Sequence, residues 1–488
     1  MAGATGDSRM TATIDCEAVV IGAGIAGLVS AVRLQRAGIQ TLLIEERDSV
    51  GGLLTPTFLG DTVVDAGAES FATRNSSVSE LIDEFGLSLS VVSPSPAGAM
   101  LVARSRRGRL RRTALPRATV LGIPSRPWAR DVRAALGFTG SLRACLDAVI
   151  PRTAGSGARS IGELAQLRMG RRVRSTLVDP IARSVYSTAA NELDIDTVAP
   201  RLRAELAEHG SLARAAASLT SGIKPGSAVN GVVGGLFTLA AELAAAFTSY
   251  GGELVTGARA GALSFSESGG ISVLADQHGT RRAIIAREVI VATPGPQAAV
   301  LTRGCASGLS DVLGAAVFRG VTVVCIRLVA PALDSFPVGS GVIIAESAAT
   351  RSKALTHLNA KWEWYQLPTH EHVLRLSFDG ADPETLRLAG DRDQLASELS
   401  IITGVSIARK SIIDVTVIPW PDAIVPLDGE TRRALSLAIA AAARDNITCV
   451  GSWASGTGLA TVIPYSTAAA DRVIGRLRQA IATKEREQ

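Results

Sequence analysis

"VVIGAGIAGLVSAVRLQRAGIQTLLIEE", residues Val19–Glu46, is the stretch that decides the fold. The apolar run from Ala18 to Ile21 has the composition of a strand buried on both faces of a parallel sheet. Gly22, Gly24 and Gly27 then complete G-x-G-x-x-G and open an apolar-periodic helix. In such a unit the first glycine permits a tight turn, the second lets backbone approach a pyrophosphate, and the third lets helix pack on strand. The helix start, with unpaired N–H groups and a partial positive charge, faces the phosphates. "IQTLLIE" predicts the second strand, and Glu45 follows Gly27 by 18 residues, where a carboxylate accepts hydrogen bonds from ribose hydroxyls. An acid there disfavours a 2′-phosphate and hence NADP; NAD and FAD both stay open at this point.

The rest of the chain bounds the problem. Its 488 residues exceed what one hydrophobic core of roughly 250–300 residues holds, so two or three domains are expected. A 47% hydrophobic and 19% charged composition describes a folded globular protein. The net charge is only +5, with no basic block beside an aromatic platform, which argues against a nucleic-acid partner. Cys16, Cys145, Cys305, Cys325 and Cys449 lie far apart without a CxxC pair. They predict reduced core thiols in a cytoplasmic protein, and no metal site or disulfide framework. "MAGATGDSRMTATID" has no basic start followed by an apolar stretch and predicts a frayed tail. The most apolar segment, "LSLAIAAAA", is too short to span a bilayer, while peripheral membrane contact stays open. His209, His278, His357, His370 and His372 show no metal-ligand spacing and predict surface or core positions.

Two further segments decide between the cofactors. "ERDSVGG" follows the acid directly, and "GDTVVDAGAESF" follows soon after; near the far end comes "NITCVGSWASGTGLATVIPYSTAAADRVIGRL". In these the sequence resembles the flavin amine oxidase superfamily. There an acid, a short loop and a glycine pair wrap FAD, a D-x-G segment approaches the flavin, and a C-terminal glycine turn and helix start meet its pyrimidine side. Mid-chain, "ALPRATVLGIPS", "SIGELAQLRMGRRVRSTLVDPIARSVYS", "GGLFTLAAEL", "LNAKWEW" and "HVLRLSFDG" occur in the order found in oxygen-dependent protoporphyrinogen/coproporphyrinogen III oxidases. The resemblance covers roughly residues 16 to 484. The sequence departs from that family in three places. Leu53 replaces a basic residue; "SVYSTAA" keeps Tyr186 but loses two glycines and an acid; "PWPDAIVPL" keeps only Trp420 and Pro426 of a longer motif.

The resemblance implies an α/β protein: a discontinuous Rossmann-like FAD-binding domain, a mixed-sheet substrate domain and an inserted helical domain. The expected division is a disordered tail over 1–13, the FAD domain over 14–75, 228–300 and 411–488, a helical insertion over 76–175, and the substrate domain over 176–227 and 301–410. The substrate pieces are expected to carry alternating apolar strands, and "RTAGSGARS" near 152–160 a mobile connection. FAD contacts are assigned to Gly22, Ala23, Gly24, Ala26, Gly27, Glu45, Glu46, Arg47, Gly51, Gly52, Gly67, Ala68, Glu69, Ser70, Ala260, Gly451, Trp453, Gly458, Leu459 and Ala460.

The implied reaction is oxidation of coproporphyrinogen III to coproporphyrin III, with flavin accepting hydride and oxygen as final acceptor. The partners are then the porphyrinogen, oxygen and downstream haem-synthesis enzymes. Because the flavin performs the chemistry, no side-chain base is assigned. The protein must supply an apolar slot for the ring and cations for its propionates. Guanidinium suits a carboxylate through two parallel hydrogen bonds. Arg74, Lys361 and Tyr186 are the candidate substrate contacts. Protoporphyrinogen IX is the alternative substrate. Another flavin amine oxidase, or an FAD-binding protein with lost catalysis, is the alternative function.

Overall fold

The computed structural model describes residues 10–105, 108–221, 229–267, 269–425 and 428–487. Strand β1 (Met10–Ile21) leads through the glycine turn into helix α1 (Ile25–Arg36) and strand β2 (Thr41–Ile44). Strands β3 (Ala99–Arg104) and β4 (Leu110–Ala114) follow, then helices α2 (Arg130–Cys145) and α3 (Asp179–Tyr186). Helix α4 (Phe237–Ser249) precedes strands β5 (Glu253–Val255), β6 (Ala258–Ala260), β7 (Ile271–Gln277) and β8 (Thr280–Val291). Next come β9 (Arg319–Val329), β10 (Gly341–Ile344), β11 (Ser352–His357), the one-turn helix α5 (Leu358–Lys361) and β12 (Glu371–Asp379). Strands β13 (Ile412–Ile424) and β14 (Ile447–Cys449) and the long helix α6 (Leu459–Glu487) complete the chain.

Two sheets organise the molecule. The first runs β5-β2-β1-β8-β7-β6, with β14 paired to the end of β8. Its centre is parallel: β1 lies between β2 and β8, and β14 runs alongside β8. Val19 and Ile21 of β1 point into one core cluster, and Ala18 and Val20 into another containing α1, α4 and α6. Burial on both faces accounts for the unbroken apolar run there. The second sheet runs β13-β9-β12-β11-β10-β3-β4, and it is antiparallel except for β3 beside β10.

Several expectations need correction. The strand β1 begins at Met10 and pairs with Arg281, so residues 10–13 are not tail. Within 76–175, β3 and β4 belong to the second sheet, because β3 finds backbone partners in β10. The described part of 176–227 is helical instead of stranded until Val229. Of 411–488, β13 joins the second sheet as its edge, where Pro419 and Pro421 are tolerated. The 152–160 connection is tied down: buried Arg168 donates to the carbonyls of Pro151 and Ala154, and Arg203 to that of Ala158. Pro426 lies outside the described residues.

Candidate functional site

The glycine turn is built as the sequence requires. Gly22 has φ +103°, and its N–H donates to Ile44 O at 2.7 Å. A Cβ there would sit 2.9 Å from Ala292 O, and one on Gly27 only 1.9 Å from Gly22 O. These glycines let strand, turn and helix touch. Gly24 is different, since a Cβ added to it meets no atom within 4 Å. It is the N-cap of α1, no side chain caps that end, and the first-turn N–H groups beyond it, including that of buried Ala26, have no intrahelical acceptor. Glu45 stands beside this opening, accepting from the N–H of Ala23 at 2.7 Å and of Arg47 at 3.0 Å.

A second wall comes from the glycine pair. Gly51 and Gly52 have φ of +112° and +60°; Gly51 N–H donates to Ala23 O, and a Cβ on Gly52 would lie 3.2 Å from Gly24 Cα. Arg47 projects over the Trp420 ring, while Glu46 turns outward to pair with Arg259. Ala260 ends β6 beside Ala275. A third wall is C-terminal. Gly451 and Gly458 have φ of +111° and +89°, and a Cβ on Gly458 also meets nothing within 4 Å. Leu459 and Ala460, both buried, start α6. Trp453 is wholly buried and donates from Nε1 to Thr293 O, so it fills core. Because β14 and β1 flank the same strand β8, the Gly22 and Gly451 turns open at one edge of one sheet.

The D-x-G segment behaves differently from expectation. Asp65 accepts from the N–H groups of Leu236 and Phe237 and so caps α4. Burial pushes its carboxyl up to about 6 against those two donors and Arg375. A Cβ on Gly67 would lie 2.2 Å from Leu53 O, which also accepts from Ala68 N–H. Glu69 points into the second sheet. It meets Lys361 Nζ at 2.8 Å and Arg375 Nη1 at 2.8 Å, and accepts from Thr356 Oγ1. Burial alone would raise this carboxyl, but the two cations outweigh it and hold it at about 2. Ser70 lies 3.4 Å from Lys361 Nζ.

Lys361, a candidate substrate contact, is therefore occupied as the largely buried partner of Glu69 and ends α5. Arg74 is exposed and donates to Thr461 in the first turn of α6, with Asn75 Nδ2 donating to Ala460 O. Tyr186 is half-buried within the field of Arg74, and burial raises its phenol.

A cleft of about 480 Å³ opens at the "SVYSTAA" segment, and sequence reasoning missed the residues that line it, Arg183, Ser187, Arg319, Glu346 and Asp379 with small residues between them. Its lining combines charged side chains with Ala189, Gly320 and Gly380. Arg183 Nη2 pairs with Asp379 Oδ2 at 2.9 Å, and Lys353 Nζ pairs with Asp379 Oδ1 at 2.8 Å. Burial would raise Asp379, yet these cations keep it below the usual carboxylate range. Chain neighbours of two lining residues reach toward the nucleotide end. Phe318, next to Arg319, packs its ring on Gly295 just beyond Thr293. Tyr186, next to Ser187, faces Arg74 and through it the start of α6.

Three histidines also converge, away from this cleft. His357 Nε2 lies 3.0 Å from His372 Nδ1, and Asp334 bonds both His372 and His370. Burial, helped by His372, lowers His357 to about 3, which fits the expected core role. Among the described residues, Glu205, Glu208 and His209 are the one group close enough to share a metal ion. Arg201 and Ser218 already engage Glu205 there.

The turns that form the cradle fit a dinucleotide: the open faces at Gly24 and Gly458, the uncapped helix start and the buried, unpartnered hydroxyl of Thr293 all await a polar ligand. Coproporphyrinogen III oxidase of Mycobacterium leprae (strain TN) is 28% identical over 469 residues, covering 95% of this chain and 98% of its own. A solved structure from Exiguobacterium sp. 255-15, provisionally named a protoporphyrinogen oxidase, shares the fold with a TM-score of 0.77 at 18% identity, over 96% of this chain and 100% of that one. Putrescine oxidase with bound putrescine shares it with a TM-score of 0.64 at 15% identity, over 95% of this chain and 100% of that one. The family model described as flavin-containing amine oxidoreductase matches residues 25–397, and this chain belongs to that family of FAD-dependent oxidoreductases.

Proposed function

We propose that this protein oxidises coproporphyrinogen III to coproporphyrin III in the cytoplasm. The observation that carries the reading is the likeness to coproporphyrinogen III oxidase of Mycobacterium leprae over nearly the full length of both chains. A cleft rimmed by Arg183 and Arg319 is in keeping with a substrate bearing several carboxylates. FAD, when bound, supplies the hydride acceptor, with oxygen as the proposed oxidant that restores it. The chain's own work is to bind and orient. The Gly22 turn and the α1 start would hold the pyrophosphate, Glu45 a ribose, and the Gly458 turn with the α6 start the flavin's pyrimidine side. No side-chain base is assigned to this reaction. Five free thiols suit a reducing compartment. No helix among the described residues is long and apolar enough to cross a membrane; the reading includes contact with a membrane surface and hand-over to later haem-synthesis enzymes.

The test is anaerobic titration of the FAD-loaded protein with coproporphyrinogen III, followed by turnover in air. Bleaching of the flavin absorbance and appearance of porphyrin are expected. Faster turnover on protoporphyrinogen IX would move the assignment to that substrate, and no oxidation of either would overturn it.

A further inference from the structure

We propose that Arg319 is the anchor for a substrate carboxylate, released by Glu192 when the substrate enters, and that Arg319 and Arg183 together favour porphyrinogens with more carboxylates. This rests on the porphyrinogen reading above.

The two arginines are held differently. Arg183 is fixed by Asp379, whose other oxygen is held by Lys353, a buried ammonium that also donates to Ser187. Lys353 occupies the irregularity where β11 slips against β12 between Ser352 and Ala354. The extra residue of such a bulge is re-aimed out of the regular pattern, here toward Asp379. Arg183 is therefore oriented before any ligand arrives. Among the described residues Arg319 pairs only with Glu192, at 2.5 Å, and both side chains are about half exposed, at 45% and 52%. An exposed pair contributes little, so a carboxylate inside the cleft competes easily for the guanidinium. It can offer two parallel hydrogen bonds in exchange. The exchange changes the charge balance. The lining itself carries Arg183 and Arg319 against Asp379 and Glu346, while Lys353 pairs with Asp379 and Glu192 with Arg319 without lining the cleft; once Glu192 leaves, the Arg319 charge is open to the substrate carboxylate. Lys361, the alternative anchor, is spent on Glu69.

The experiment measures coproporphyrin III binding by fluorescence, and steady-state kinetics on both porphyrinogens, for the FAD-loaded wild type, Arg319→Gln, Arg319→Lys and Glu192→Gln. Arg319→Gln is expected to weaken coproporphyrin III binding by roughly ten- to a hundredfold, the size of a lost charged hydrogen bond. KM should rise with kcat nearly unchanged, more for the four-propionate substrate than for the two-propionate one, with flavin content and spectrum unaltered. Arg319→Lys should recover part of the loss, and Glu192→Gln should tighten binding. Equal binding by wild type and Arg319→Gln, weaker binding by Glu192→Gln, or no binding by the wild type would each overturn the anchor. A wild type that binds coproporphyrin III but oxidises neither porphyrinogen would overturn the proposed reaction alone, and the anchor would still be decided by Arg319→Gln.

Discussion

Glu69 stands between Lys361 and Arg375, one anion against two cations, all largely withdrawn from water. Removing one member of such a group leaves buried charge uncompensated, typically at a cost of about 3–5 kcal/mol. Glu69→Gln should therefore lower the unfolding free energy by that order, read from urea denaturation at pH 7. The carboxyl's folded value of about 2 lies below its ordinary 4.5, so its contribution is full above pH 4.5 and disappears as pH falls toward 2. Asp65 has the opposite sign: at about 6, against an ordinary 3.8, the native state takes up the proton first, and stability is gained as pH falls from 6 to 3.8. Asp65→Asn should flatten that gain, and Glu69→Gln the loss at lower pH; interchanged slopes would refute both assignments. Neither role was legible locally. Lys361 reads as a carboxylate anchor because "AKW" belongs to a substrate-side segment, but the carboxylate it meets is 292 positions away.

The strand–turn–helix unit was legible because its demands are local. Each glycine serves a separate purpose, and the two purposes can be separated by mutation. Gly24→Ala adds a Cβ into empty space at φ −70°, so the apoprotein should lose at most about 1 kcal/mol, the difference between good and poor N-caps. FAD content, measured by absorbance, should nevertheless fall well below one per chain. Gly27→Ala drives a Cβ into the Gly22 carbonyl and should destabilise the fold itself, by about 1–3 kcal/mol or more. Equal effects of both on apoprotein melting would contradict this division of labour. Elements fixed by distant partners were not legible. "GRLRRTAL" shows no apolar alternation, yet β4 forms as the outermost strand beside β3, with Arg112 Nε donating to Ile402 O. Edge strands can stay polar because one side faces solvent. The Pro419 and Pro421 punctuation of β13 is tolerated at an edge for a related reason.

The order in which chain segments visit the two sheets is a property of the whole molecule. Family order announced the interleaving, while the crossing points did not follow from it: β13 belongs to the second sheet, whereas β14 and α6 pack with the first. The cradle consequently draws on residues near 22, near 51 and near 458, joined through the β1, β8 and β14 pairing. A ligand that bridges all three stabilises the native state by mass action, by about 2.7 kcal/mol at a free concentration of 100 Kd. Adding FAD to the deflavinated protein should thus raise the melting temperature with concentration. It should also slow amide exchange at the Gly22, Gly51 and Gly458 turns together, since each supplies backbone to one ligand. Strands β3 and β4, at the far edge of the other sheet, should keep their exchange rates. Protection limited to the Gly22 turn would mean that the nucleotide binds without the C-terminal wall, and the three-piece cradle would have to be abandoned.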